Sequence, residues 1–122
     1  MAGIKLLTKL EPQTCLKVAW RTAQDLGFSL TPIEANSTRF TATKGSALLG
    51  FIAGALAPHC NFEVSVASYS DGNEVVLENN SPWLTSGSAG VAKINQQAED
   101  LIRAIAAAIE KEGGTILQRK EF

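Results

Sequence analysis

In the pair His59-Cys60, two chemically able side chains are neighbours in the chain. A thiolate beside an imidazole can act as a nucleophile, and Cys with His can hold zinc. The setting argues against both. Neighbouring residues of an extended strand point to opposite faces, so the imidazole does not reach the adjacent sulfur. The chain has one histidine and two cysteines, so no second ligand pair exists, and the other thiol, Cys15, falls on an expected helix. Free cysteines are more often small buried hydrophobes than reagents. No metal site and no catalytic residue is expected, and no cofactor.

Carboxylates form the next group. Glu74 and Glu78 flank Val76 on one face of an expected strand, with Glu63 on the neighbouring one. Paired carboxylates do acid–base work when burial drives their pKa values apart. Here they alternate with inward apolar residues, so the expected environment is water, with Lys5 and Lys9 projecting to the same outer face as cross-strand partners. Gly45, Gly50 and Gly54 do not have the spacing of a dinucleotide fingerprint, and Phe51 stands where a P-loop needs lysine. Gly87-Ser88-Ala89-Gly90 precedes an expected helix, where free N–H groups can hold an anion. With no Lys-Ser/Thr following, it reads as a flexible cap.

Composition narrows the classes. Eleven Lys/Arg against twelve Asp/Glu give a net charge of −1, and 45% of the 122 residues are hydrophobic. Such a chain forms one compact domain over residues 1–122, not a disordered segment. A balanced charge lacks the basic field that neutralises phosphate, and Glu63, Glu74 and Glu78 would share any sheet face with Lys5, Lys9 and Arg39, so nucleic-acid binding is not expected. The N-terminus carries neither a secretory signal nor a myristoylation pattern, which makes the cytoplasm the default, with reduced thiols.

Periodicity then supplies the elements. Residues 4–10 alternate as a strand; Pro12 opens a helix whose stripe is Leu16, Ala19, Trp20, Ala23 and Leu26; Gly27 stops it. Phe28–Thr31 and Arg39–Thr43 alternate as two short strands. Phe62, Val64 and Val66 share one strand face, Asp71-Gly72 is a two-residue turn signal, and Val75 and Leu77 lead back, with Val66 opposite Leu77. Residues 80–90 form a Gly/Ser-rich connection holding Trp83 and Leu84, expected to tuck onto the core, with Trp83 alternatively part of a binding lip. Val91, Ile94, Ala98, Leu101, Ile105 and Ala108 predict a long helix over about 89–112. The tail from Thr115 is left open between strand and loose end. The expected fold is α+β: a two-layer sandwich in β-α-β4-α order, an antiparallel sheet with two helices packed on one face. This order resembles that of half a domain pair in the TATA-binding-protein family and, elaborated, of helix-grip lipid carriers of the birch-pollen-allergen type. The resemblance is one of element order and implies no functional residue.

One segment stands out against this plan. From Gly45 to Phe62 the chain carries no Asp, Glu, Lys or Arg, and Gly45 to Ala57 is nearly all apolar or small. It falls between two strands, where connections are usually short and polar. On a helix, Ala47, Gly50, Gly54 and Ala57 form a ridge of small residues, with Leu48, Phe51, Ile52 and Leu56 elsewhere. Such a ridge allows close backbone approach, yet the run is too short for the roughly 20 residues that span a bilayer. Three roles fit: closure of one end of the core, a self-association surface, or a gate over a hydrophobic pocket. The functional expectation is a small, non-enzymatic binding or assembly domain, self-associating as a homo-oligomer through 45–58. The alternative is a carrier or sensor of a hydrophobic small molecule. Leu48, Gly50, Phe51, Ile52, Gly54, Leu56 and Trp83 are the interaction or ligand-facing candidates.

Overall fold

The computed structural model describes residues 2–33, 38–45, 59–81 and 87–122. Strand β1 (Gly3–Thr8) follows the expected alternation: Ile4, Leu6 and Thr8 are buried while Lys5 and Leu7 are half-buried on the other face. Thr8 is polar, but its hydroxyl oxygen accepts from the Leu10 N–H at 3.2 Å, so it is buried without an orphaned oxygen. Helix α1 (Pro12–Asp25) begins with Pro12, whose missing N–H has no intrahelical partner to lose at that position. It ends in a Schellman arrangement: Gly27, at φ 90°, donates to Gln24 O, and Phe28 donates to Ala23 O. The buried stripe of α1 is Cys15, Val18, Ala19 and Ala23, rotated from the expected one. Leu16 and Trp20 lie along its edge and Leu26 is 38% exposed. Small residues on the inner line let the helix approach its neighbours closely, while the large ones cover the rim.

Strands β2 (Ser29–Pro32), β3 (Arg39–Lys44), β4 (Cys60–Tyr69) and β5 (Gly72–Asn79) follow, then helix α2 (Gly87–Lys111) and strand β6 (Ile116–Glu121). All neighbouring strands are antiparallel, in the spatial order β2-β3-β4-β5-β1-β6. The class is therefore mixed α+β, but the element order corrects the expected β-α-β4-α: a last strand is added after α2. The β6 segment was hard to see because it buries no apolar face. Its inward position opposite Leu6 is Arg119, which reaches back to the helix instead of into the core.

The register makes a continuous apolar row across the sheet. Ile4 opposes Leu77, Leu77 opposes Val64, and Val64 opposes Phe40; Leu6, Val75 and Val66 form the next row. Directly opposed residues of antiparallel strands lie on one face, so both rows face the same way. The helices pack on each other, and their buried residues join these rows in a single cluster that includes Ile94, Ala98, Leu101, Ile102, Ile105 and Ile109 of α2. Trp20 meets Phe40 edge-on at 5.1 Å between centroids, and Phe28 lies 5.9 Å from Phe62. Each such large side chain removed from water contributes about 1.5–3 kcal/mol.

The β4–β5 hairpin differs from the expected register by two residues. Val66 opposes Val75 and Tyr69 opposes Gly72, so Ser70 and Asp71 form the loop and Gly72 begins β5. Gly72 is at φ 145°, and a Cβ there would lie 2.8 Å from the Thr8 carbonyl oxygen, so glycine serves the close β1 contact as well as the turn. A two-residue shift preserves the side-chain faces, which is why the apolar pattern could not detect it.

Strand β6 is tied to α2 by charge. Arg119 donates to both oxygens of Glu99, at 2.9 Å on the Oε1 side; Arg103 donates to the same Oε1 at 2.9 Å, and Arg119 to Glu121 Oε1 at 3.2 Å. The hydrogen bond from Arg119, with that from Arg103 and the charge of both, holds the Glu99 carboxyl below the usual range; Glu99 in turn raises the Arg119 guanidinium. A depressed folded-state carboxyl stabilises the fold above its unfolded pKa of about 4.3, and that stability is lost as pH falls through the folded value. The network lies at the surface, so its contribution is modest. Glu99→Gln is expected to lower unfolding free energy at pH 7 by about 0.5–1 kcal/mol, with the gap to wild type closing toward pH 3 in urea titrations. An equal gap at both pH values would show that the Glu99 charge contributes nothing.

Candidate functional site

The candidates Leu48, Gly50, Phe51, Ile52, Gly54, Leu56 and Trp83 lie outside the described residues. What the structure places are the points from which their segments leave the fold. Lys44 and Cys60 are opposed residues of neighbouring strands, so residues 45–59 connect two strands that are already in register at that point. The adjoining end of β5 is fastened there too. Asn80 N–H donates to Asn61 O at 2.8 Å, Asn61 N–H donates to Ser81 Oγ at 2.9 Å, and Ser81 N–H donates to Asn79 Oδ1 at 3.1 Å. The segments bearing Phe51 and Trp83 therefore start from the same end of the sheet, around the first residues of β4. The connection expected over 80–90 is shorter than read from the sequence, since α2 already begins at Gly87.

Lys44 anchors this end to α1. Its ammonium donates to Leu26 O at 2.9 Å and lies 5.2 Å from the Phe28 ring centroid. A cation on the last carbonyls of a helix satisfies an acceptor that has no intrahelical donor and complements the negative end of the dipole. Gly45, at φ 80°, turns the chain away immediately after it.

Cys60 is 2% exposed and Cys15 is fully buried, and neither is in a disulfide. Burial pushes the Cys60 thiol up, against the smaller opposing pull of Lys44. Burial likewise raises Cys15, whose Sγ donates to Leu10 O at 3.5 Å. His59 is half-buried with Nδ1 enclosed and unpartnered. Among the described residues no three His, Cys, Asp or Glu side chains come together as a metal site.

The outer sheet face carries the expected carboxylates, and two of them, Glu74 and Glu63, are paired with cations. Lys5 lies 3.9 Å from Glu74, and Arg39 lies 3.5 Å from Glu63. Glu63 and Glu78 directly oppose one another across β4 and β5, both open to water to some degree. The arrangement is a partly wet face carrying charges of both signs.

One cavity of about 420 Å³ opens beside α1, lined by Leu16, Lys17, Trp20, Arg21 and Gln24. Periodicity assigned Leu16 and Trp20 to the buried stripe; their position on its rim is what leaves a partly apolar, partly cationic surface there. No protein-family model matches the chain, and no curated protein matches it either. Among the described residues, no helix is long and apolar enough to cross a membrane.

Inert thiols have a direct test. Neither Cys15 nor Cys60 is expected to react with a colorimetric disulfide reagent on the native protein over minutes, and both react once denaturant unfolds it. Fast titration of one thiol on the folded chain would show a nucleophilic cysteine.

Proposed function

We propose that residues 1–122 form a single, non-enzymatic binding or assembly domain that self-associates through the apolar 45–58 run. The supporting observation is the register pair Lys44–Cys60 at the root of that run. Strands joined in register need a turn of two to five residues. The connection actually present is far longer and carries no Asp, Glu, Lys or Arg. Its apolar length is therefore surplus to chain connectivity, and apolar surface in surplus is stabilised by contact with a partner. The architecture that goes with this reading is a two-layer one, both helices covering the apolar rows and the opposite sheet face left wet. A cytoplasmic setting belongs to the same proposal and fits two free, buried thiols.

A second reading, a carrier or sensor of a hydrophobic small molecule, draws on the cavity beside Trp20. Against a ligand gripped between sheet and long helix stands the burial of Leu101, Ile102, Ile105 and Ile109 in the same cluster as Phe40 and Phe62.

Size-exclusion chromatography with light scattering separates the two. The self-association reading predicts a mass of at least twice 13.0 kDa, falling to the single-chain mass in Gly50→Lys and Phe51→Glu with the circular dichroism spectrum retained. A strict monomer at high concentration, untouched by either substitution and carrying an apolar adduct in native mass spectrometry, would replace it with the carrier reading.

A further inference from the structure

The seam where α1 and α2 meet carries features that their own packing does not use. Its floor is Leu26, Ala104, Ala107 and Ala108, lining a shallow cavity of about 310 Å³. Leu26 and Ala107 are exposed, although α2 buries Ile94, Ala98, Leu101, Ile102, Ile105 and Ile109 elsewhere. Alongside lies a second hollow of about 210 Å³, bordered by Arg21, Asp25, Lys111 and Glu112. All four are exposed, and among the described residues none has an ion-pair partner within 4 Å.

Two of these charges are placed against local preference. Asp25 is the last residue of α1, which has no basic residue in its final turn, and Glu112 directly follows the last residue of α2. The C-terminal end of a helix is its negative pole, where anions are disfavoured and cations favoured. Inside the fold the α1 end is covered by the Lys44 ammonium on Leu26 O and the α2 end carries Lys111 in its last turn, so neither anion is needed where it stands, and such residues are the ones to examine for an external role.

We infer that this seam is a contact with a second copy of the same chain. The inference rests on the self-association reading above and assigns it a surface built of described residues. In a two-fold contact the same patch faces itself, so residue i of one copy meets j of the other and j meets i. Such a patch must be self-complementary: an apolar centre without charge, bordered by equal numbers of each sign. The alanine and leucine floor with two cations and two anions meets that condition. A partner of one dominant charge would leave half of these side chains opposed by like charge. Small side chains on the floor allow close approach of another helix. The seam also adjoins the root of the 45–58 run, because Leu26, at one end of the floor, accepts the hydrogen bond from Lys44.

The test removes self-complementarity and then restores it between two different chains. One variant carries Asp25→Lys and Glu112→Lys, leaving only cations at the border; the other carries Arg21→Glu and Lys111→Glu, leaving only anions. Circular dichroism and thermal melting establish that both remain folded. Sedimentation velocity is expected to show self-association weakened about tenfold or more in each variant alone, and restored in an equimolar mixture as a heteromer. Variants that associate as wild type does would overturn the seam assignment, and so would a mixture no stronger than its components. Loss of association in Phe51→Glu with no effect of either charge variant leaves the self-association reading standing and removes the seam. A monomeric wild type removes both.

Discussion

Everything in this structure depends on keeping one face of a six-stranded sheet out of water. Ile4, Leu77, Val64 and Phe40 form a row across four strands, with Leu6, Val75 and Val66 beside it, and all seven are 5% exposed or less. An antiparallel sheet tolerates water on one side only. The alternation in β1, β3, β4 and β5 commits the chain to that choice, and buried residues of α1 and α2 join the same core cluster. The opposite face can then be filled with Lys5, Arg39, Glu63 and Glu74, whose pairings stabilise little but cost little.

The same constraint explains which parts were legible in the sequence. Long, strongly periodic segments announce themselves: the stripe through Ile94, Leu101 and Ile105 and the alternation of Phe62, Val64 and Val66 are the patterns that burial on one side imposes. Where burial is not the determinant, the pattern is silent. Strand β6 is held by backbone pairing to the free edge of β1 and by Arg119 on Glu99, neither of which has a period. The hairpin register was misread by two residues because a two-residue slip leaves every side chain on its original face. Gly72 was the clue, but its role as first residue of β5 depends on a carbonyl of β1, a contact between distant parts of the chain. In α1 the helix was legible but its rotation was not, since Leu16 and Trp20 outrank Cys15 and Val18 in hydrophobicity while the smaller residues fit the closer approach.

The candidate site was legible as composition and not as geometry. An uncharged, glycine-studded run between two strands is visible in the sequence. That its ends are opposed at Lys44 and Cys60, with Asn61 and Ser81 bonded alongside, is a consequence of sheet order that no local pattern encodes. The seam between the helices was equally hidden. It includes Leu26 and Ala108, which periodicity assigns to the buried stripes, and only packing of α1 on α2 brings Asp25 and Lys111 to one surface.

Self-association through a surplus segment requires that the fold not need that segment. Replacing residues 45–59 with an Asn-Gly turn would leave Lys44 and Cys60 as the closing pair of an ordinary two-residue hairpin. The measurement is equilibrium denaturation of this shortened chain, paired with sedimentation equilibrium. The account predicts a cooperative transition close to that of the full chain and weaker association. A shortened chain that fails to fold, or one that associates at full strength, would contradict it.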